Sequence, residues 1–321
     1  MKVLGIESTA HTFSIGIIDG KNVLANVISA FTTKTGGIKP FEAAEHHVKV
    51  CFDVLDKALK EAKLKISSID LIAFSQGPGL GHTLRIGAFF ARCLAAFYGK
   101  KIVGVNHCIA HLSIGSLTGA KDPVLLYASG VNTQVIAYEG GKYRIFGETL
   151  DMGVGNFLDS VAREMKLGFP GGPKLEKLAL KGKKFIEMPY AVKGMDVSFG
   201  GLFSFVKQKL GKFRKEDLAY SMQETIFAML LEVAERAMAH TGKKELLLGG
   251  GVACNSRFQE MALKMCSERG AKCFIPEKQF LVDNGAMIAY QGYLEIKKKQ
   301  KIIDTVIKPY WRTDEVKVGW K

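Results

Sequence analysis

The segment His107-Cys108-Ile109-Ala110-His111 sets two imidazoles four positions apart. On a helix that spacing puts both rings on one face, where they can share a metal ion. Zinc proteases use the same spacing with a glutamate after the first histidine as general base. Here that place holds Cys108, which cannot do that work. A third ligand must come from elsewhere in the chain. Asp283, in Leu281-Val-Asp-Asn-Gly285 ahead of the last predicted helix, is the candidate. Two histidines, one carboxylate and an open face suit iron(II) or zinc.

A second group of residues has the chemistry of phosphate and nucleoside binding. Gly5-Ile-Glu-Ser-Thr-Ala-His-Thr12 and Tyr127-Ala128-Ser129-Gly130-Val131-Asn-Thr-Gln134 each turn from one strand into the next. Backbone N–H groups and hydroxyls at such turns can hold phosphate oxygens, so the pair reads as a clamp, although ordinary hairpin chemistry accounts for either turn alone. Gly249-Gly-Gly-Val-Ala-Cys-Asn255 joins an apolar strand to a helix. It suits a flat surface under a purine, with Asn255 placed to hydrogen-bond the ring. Gly168-Phe-Pro-Gly-Gly-Pro-Lys-Leu-Glu176 opens a helix, either as a cap or with Asp159 and Glu176 accepting from ribose hydroxyls. Gly77-Pro-Gly-Leu-Gly81 opens a helix so apolar that close packing explains its glycines as well as a ligand would. No GxxxxGK[ST] or GxGxxG fingerprint stands in strand-turn-helix context, which excludes P-loop and Rossmann readings.

These residues are positioned by elements that repeat. Val3 to Glu7, Phe13 to Asp19 and Asn22 to Ile28 read as a meander. Apolar Val48, Phe52, Leu55 and Leu59 recur at helical steps, and strand, helix, strand and helix follow up to His107. The second half restarts with the strands Val124 to Ser129, Thr133 to Tyr138 and Tyr143 to Thr149. It adds a Gly/Pro-rich basic insert over 153–215, then returns to helix, strand, helix, strand, helix. The plan βββαβαβα, run twice with negligible residue identity between copies, predicts an α/β chain of two lobes. Their boundaries are expected at 1–122 and 123–295, with 296–321 packing back on the first. Two such lobes resemble the actin, Hsp70 and sugar-kinase (ASKHA) superfold, which implies a nucleotide cleft between them but fixes no reaction.

With 321 residues, 47% hydrophobic and 24% charged, the chain is long enough for two cores and too apolar to be disordered. Its six cysteines are scattered with no CxxC pair, which points to a reducing cytoplasm. The N-terminus lacks a signal-peptide pattern, and the longest mainly apolar stretch, Ile86 to Tyr98, is interrupted by Arg92 and too short to span a bilayer, so no membrane role is expected. The formal net charge of +14 makes a polyanion a credible partner.

Eight motifs in order carry a resemblance to a known family: GIESTAHT, GIKPFEAAEHH, GPGLGHTLRIG, VNHCIAH, YASGVNTQV, GFPGGPKLEKLA, LGGGVACNSRF and VDNGAMIA. Together they resemble the universal tRNA threonylcarbamoyladenosine transferase family, TsaD in bacteria and the catalytic subunit of the KEOPS complex in archaea and eukaryotes. The ending Lys308 to Val316 is similar to archaeal members. The resemblance implies transfer of a threonylcarbamoyl group from threonylcarbamoyl-adenylate to the exocyclic amine of the adenosine 3′ to the anticodon, in tRNAs reading ANN codons, with release of AMP. It implies one metal ion, iron or zinc, on His107, His111 and Asp283, with Tyr127 on or beside it, and ATP or AMP as further cleft ligands. It also implies that Tyr127, Ala128, Ser129, Gly130 and Val131 line the phosphate and acyl group, that Asp159 and Glu176 hold the ribose, and that Gly172 offers a backbone contact and Asn255 the adenine contact. Implied partners are tRNA and KEOPS subunits, a small protein kinase and a small dimerising subunit.

Two positions depart from the family pattern: Phe41 stands where many relatives have Arg, and Val131 where Gly or Ala is usual. No residue is assigned as general base; a substrate phosphate or hydroxyl could serve. Candidate tRNA contacts are Lys181 to Lys193, Lys207 to Lys215, Lys297 to Lys301 and the tail residues Tyr310, Trp311 and Arg312. The rival readings are an HxxxH metalloprotease, a non-catalytic RNA-binding scaffold, and an ATP-dependent kinase of the same superfold. The kinase would need Asp where the two turns hold Glu7 and Tyr127.

Overall fold

The first three apolar runs pair as predicted. Strands β1 (Lys2–Glu7), β2 (Thr12–Asp19) and β3 (Asn22–Ala30) form an antiparallel meander in the computed structural model, which describes residues 1–33, 38–297 and 304–321. Gly37, the first residue of GIKPFEAAEHH, and Lys298 to Lys301 of the predicted basic run lie outside the described residues. Helix α1 (Pro40–Glu61), strand β4 (Leu71–Gly77), helix α2 (Gly81–Phe97), strand β5 (Lys101–Asn106) and helix α3 (His107–Ile114) follow. The sheet order is β3-β2-β1-β4-β5, with β1, β4 and β5 parallel. Alternation along β1 sorts the two faces. Leu4 and Ile6 pack with Val54 and Ala58 of α1 and Ala88 and Ala91 of α2. Val3 joins Val103, Ala110 and Ile114 on the opposite face.

The predicted stripe of α1 is corrected. Val48 and Phe52 are 56% and 70% exposed, while Ala43, His47, Cys51, Val54, Leu55 and Ala58 are buried. Two stripes overlap on this helix. The one with smaller side chains lies nearer the sheet; of the predicted four, Leu55 and Leu59 join the core, and Phe52 meets it only through an edge-to-face contact with Phe90.

The same plan is laid down again by β6 (Val124–Ala128), β7 (Thr133–Glu139) and β8 (Lys142–Glu148). The predicted insert carries its own secondary structure. It contains α4 (Val154–Glu164), α5 (Gly172–Ala179), a short hairpin of β9 (Val192–Lys193) and β10 (Asp196–Val197), and α6 (Gly200–Lys209). Helix α7 (Lys215–Thr241) ends at Gly242, whose φ of 68° provides the left-handed cap. Strand β11 (Glu245–Gly249), helix α8 (Ser256–Glu268) and strand β12 (Lys272–Phe274) complete a sheet of order β12-β11-β6-β7-β8. Its three antiparallel and two added parallel strands match the first sheet one for one.

Helices α9 (Lys278–Leu281) and α10 (Gly285–Lys297) return to the first sheet. One compact unit therefore comprises Met1–Phe31, Ile38–Thr118 and Glu277–Lys321, and the other is built on Gly119–Pro276. This places 277–295 with the first unit, where the sequence suggested the second lobe. The cause is a glycine-on-glycine approach. A Cβ on Gly5 or Gly16 would overlap the backbone of α10 at Ala289 and Ala286, and one on Gly285 would overlap Gly16 and Ile15. With no side chains between them, helix and sheet meet backbone to backbone, and Met287, Ile288 and Ala289 join the core beneath.

Candidate active site

Asn106, the last residue of β5, caps α3: its Oδ1 accepts from Cys108 N at 3.0 Å and Ile109 N at 3.2 Å. The cap starts the helix at His107, so His107 and His111 fall one turn apart with ring centroids 4.8 Å from each other. Asp283 arrives from the loop ahead of α10, which the sheet anchors through Gly285 N to Ser14 Oγ at 2.8 Å and Ala286 N to Asn26 Oδ1 at 3.2 Å. Asp283 Oδ1 lies 3.4 Å from His107 Nε2 and 3.3 Å from His111 Nε2. The three residues offer ligand atoms that all lie within 4.8 Å of one another, and both histidines are buried.

The electrostatics suit a cation. Burial works against the Asp283 charge, yet the two facing imidazoles hold its pKa well below the usual carboxylate value. Burial, against the pull of Asp283, keeps the His111 pKa below its ordinary value and the ring in the neutral form that binds metals. Behind His107, the ring Nδ1 donates to Glu7 Oε2 at 3.0 Å. Glu7 is fully buried and accepts at Oε1 from Thr9 N at 2.6 Å and Thr9 Oγ1 at 2.5 Å. A carboxylate acceptor on Nδ1 places the proton there and leaves Nε2 for a metal. Spacing does not single out Glu7; its only sequence signal is a carboxylate at the end of an otherwise apolar strand. The intervening Cys108 is buried, which raises its thiol pKa, and it hydrogen-bonds Thr313.

The nucleoside residues gather in the second unit. Tyr127 is buried at the end of β6, in the other unit from the three clustered ligands. The following turn is tied to the start of α4 by Gly155 N to Ser129 O and Asn156 N to Gly130 O, both 2.9 Å, and Val131 at its tip is 60% exposed. Asp159 Oδ1 accepts from Gly171 N at 2.7 Å, just ahead of Gly172 at the first turn of α5. Glu176 Oε1 accepts from both Ser256 N and Ser256 Oγ at 2.8 Å. Asn255 caps α8 through Phe258 N and donates to Gln223 Oε1 at 2.9 Å. Glu176 thus holds Ser256, the neighbour of Asn255, at the start of α8, and Asp159 holds Gly171, the neighbour of Gly172, at the start of α5. Nothing in the helical pattern around Gln223 marks it out. Within the Gly249 to Gly251 run, Gly250 has φ 87° and a Cβ there would overlap Ala128 O, whereas Gly251 faces open space.

Two α/β units with the same strand order have the fold of the ASKHA class, and the first holds the two-histidine, one-carboxylate cluster. Solved structures agree on the fold. Thermococcus kodakarensis HypF aligns with TM-score 0.65 at 16% identity, covering 92% of this chain and 48% of that one. The component A activator of Acidaminococcus fermentans (R)-2-hydroxyglutaryl-CoA dehydratase aligns with TM-score 0.57 at 17% identity, covering 93% and 100%. The chain spans about half the length of that HypF. The family model for TsaD, tRNA N6-adenosine threonylcarbamoyltransferase, matches residues 22–290. Proteins of that name from Thermococcus kodakarensis and Thermococcus sibiricus are 59% and 57% identical to this chain over all of both sequences. A probable bifunctional tRNA threonylcarbamoyladenosine biosynthesis protein of Methanosarcina barkeri is 52% identical over 99% of this chain and 59% of its own length. The chain belongs to the tRNA N6-adenosine threonylcarbamoyltransferase family, an enzyme family acting on tRNA.

Proposed function

We propose that this chain transfers a threonylcarbamoyl group from threonylcarbamoyl-adenylate to the exocyclic amine of the adenosine 3′ to the anticodon, in tRNAs reading ANN codons, and releases AMP. The observation that carries the reading is the His107, His111 and Asp283 constellation, with Glu7 fixing one of its rings. In the reaction the amine nitrogen bonds to the carbamoyl carbon, the bond from that carbon to the phosphate oxygen breaks, and AMP leaves with the electron pair. The amine proton passes to a substrate phosphate or hydroxyl, since no side chain is assigned as base.

A metal, iron or zinc, would be held by His107, His111 and Asp283 with Tyr127 on or beside it, and would supply Lewis-acid polarisation. Tyr127 to Val131 would line the phosphate and acyl group, and Gly172 would offer a backbone contact. Asp159 and Glu176 would accept from the ribose hydroxyls; Ser256 occupies Glu176 Oε1, so Oε2 is the oxygen a hydroxyl would reach. Asn255 would contact adenine from the rigid start of α8. An aryl amine is a weak nucleophile, so holding the donor in place supplies much of the rate.

The rivals lose support from the same contacts. Glu7 is committed to His107 and Thr9, and Tyr127 offers a phenol where a kinase would use a carboxylate, so neither is disposed to hold Mg-ATP. Cys108 is buried beside Thr313, away from the role a protease base needs. Among the described residues no helix is long and apolar enough to cross a membrane. We place the enzyme in the cytoplasm with KEOPS-type partners, a small kinase and a dimerising subunit. The exposed Phe52, Phe89 and Phe97 of α1 and α2, 68% or more open in each case, are surface that a protein partner would cover.

The test is reconstitution of the chain and its partners with threonine, bicarbonate, ATP, a threonylcarbamoyl-adenylate synthase and tRNA, followed by nucleoside analysis. The wild type should yield the modified nucleoside, and His107→Ala and Asp283→Ala should yield none while keeping their fold by circular dichroism. Modification retained by either variant removes the metal assignment.

A further inference from the structure

The most exposed large apolar side chain of the described residues is Tyr310, at 94%, and the backbone on either side of it is anchored. Gln76 O accepts from Lys308 N at 2.7 Å, and Pro309 O accepts from Gly79 N at 3.1 Å. Trp311 N closes a turn onto Lys308 O at 3.1 Å, and Trp311 O accepts from Asn106 Nδ2 at 3.4 Å. Tyr310 is therefore the apex of a turn clamped on both sides, and one of its clamps is Asn106, the residue that caps helix α3 with its His107 and His111. Thr313, buried two residues beyond Trp311, hydrogen-bonds Cys108, the neighbour of His107. A phenol ring held out in water on a fixed backbone gains nothing from folding, and it is well prepared for a flat partner because little motion remains to be lost.

The surroundings say what kind of partner. Lys308, two residues before Tyr310, pairs with Asp304 at 2.9 Å and lies over the Trp311 ring, and Arg312, two residues after, pairs with Asp314 at 3.2 Å. All four groups are solvent-exposed, so these pairs are weak and can exchange for phosphate. Pro309 sits by Gly81 at the start of α2, whose exposed His82 and Arg85 follow. A planar aromatic between exchangeable cations suits an unstacked nucleobase with its phosphates better than an apolar protein surface. We propose that Tyr310 is a stacking platform for a nucleobase of the tRNA anticodon loop, a positioning residue that sets the loop against the α3 end of the first unit. The proposal rests on the function given above and adds to it the residue that holds the acceptor.

The test uses the full chain with its partners. A fluorescent anticodon stem-loop RNA and a fully paired RNA of equal length are titrated by anisotropy against wild type, Tyr310→Phe and Tyr310→Ala, and modification kinetics are run in parallel. Tyr310→Ala is expected to weaken loop binding and raise KM by about tenfold with kcat within about twofold, since one stacked base is worth roughly that much. Tyr310→Phe keeps a π face and should behave as wild type, and the paired RNA should bind all three equally. Wild-type KM and loop affinity in Tyr310→Ala overturn the proposal. So does equal loss for loop and paired RNA, or restored KM only when a partner protein is omitted, which would assign Tyr310 to a protein interface. A wild type that binds the loop but never modifies it overturns the function, with the stacking still decided by anisotropy.

Discussion

Thr9, Glu7 and His107 form a line of buried hydrogen bonds that fixes the His107 ring with its Nε2 turned to Asp283, and each member is useful only because the next is in place. The two histidines are legible from sequence because a four-residue step has a fixed meaning on a helix. Asp283, 172 positions beyond His111, is not legible in that way: no periodicity connects them, and its candidacy rests on its place ahead of the last predicted helix and on the family pattern. A second buried carboxylate lies away from the centre. Glu295 accepts from Gln291 Nε2 at 2.8 Å, and Gln291 accepts from Ser113 Oγ at 2.5 Å. Burial, only partly offset by the Gln291 bond, raises its pKa from 4.5 to about 7. The folded chain thus keeps a proton that the unfolded chain releases, so the stability it carries is complete below pH 4.5 and drains away as pH rises to about 7. At pH 8 the loss amounts to about 3 kcal/mol by linkage. Glu295→Gln should leave stability at pH 4.5 nearly unchanged and raise it at pH 8, as read by denaturant midpoints across that range. Parallel curves for the two proteins would show that Glu295 ionises freely in the folded state.

At the scale of elements, the glycines of β1, β2 and α10 decide where Asp283 ends up. Helix α10 could have been assigned to the second lobe from its order in the chain, since strand-then-helix grammar says nothing about which sheet a terminal helix joins. The information lies in Gly5, Gly16 and Gly285, whose lack of side chains permits backbone contact, and such a signal is visible only once the partner is known. The exposed stripe of α1 teaches the converse. Val48 and Phe52 have core-like spacing yet face solvent, because periodicity reports apolarity and not what covers it. Gly16→Ala tests the docking. Its Cβ would overlap Ala286 N and Gly285 C, so helix and strand must separate. A cost of about 1–3 kcal/mol or more is expected for overpacking of this kind. Because the same movement carries the Asp283 loop, zinc affinity measured against a chromophoric chelator should fall together with the denaturant midpoint. A destabilised variant with unchanged zinc affinity would uncouple α10 from the centre.

For the molecule as a whole, duplication and charge are the two properties that composition announces and structure refines. The halves share almost no residue identity, yet their strand orders coincide, since the pattern of burial along a strand survives nearly any exchange of apolar residues. The net charge of +14 is less evenly legible. Between Lys181 and Lys215 the acidic residues are Glu187 and Asp196, and Lys183, Lys184, Lys193, Lys207, Lys212 and Arg214 are exposed. Asp217, which follows Glu216 in the first turn of α7, is turned inward to accept from the backbone N–H groups of Lys183 and Lys184, which leaves both ammonium groups projecting from a pinned backbone. Such a surface binds RNA by displacing counterions. Its affinity should therefore fall as a power of salt concentration, by about a thousandfold between 50 and 200 mM if six phosphates are engaged. If the segment contributes, Lys183→Ala with Lys184→Ala should make the plot of log affinity against log salt shallower by about two contacts, whatever the tRNA sequence. The control is Lys57→Ala with Lys60→Ala on α1, where Lys60 already pairs with Asp56, and it should leave the slope unchanged. An unchanged slope in the first pair would move the RNA surface off this segment and make its charge a device for solubility.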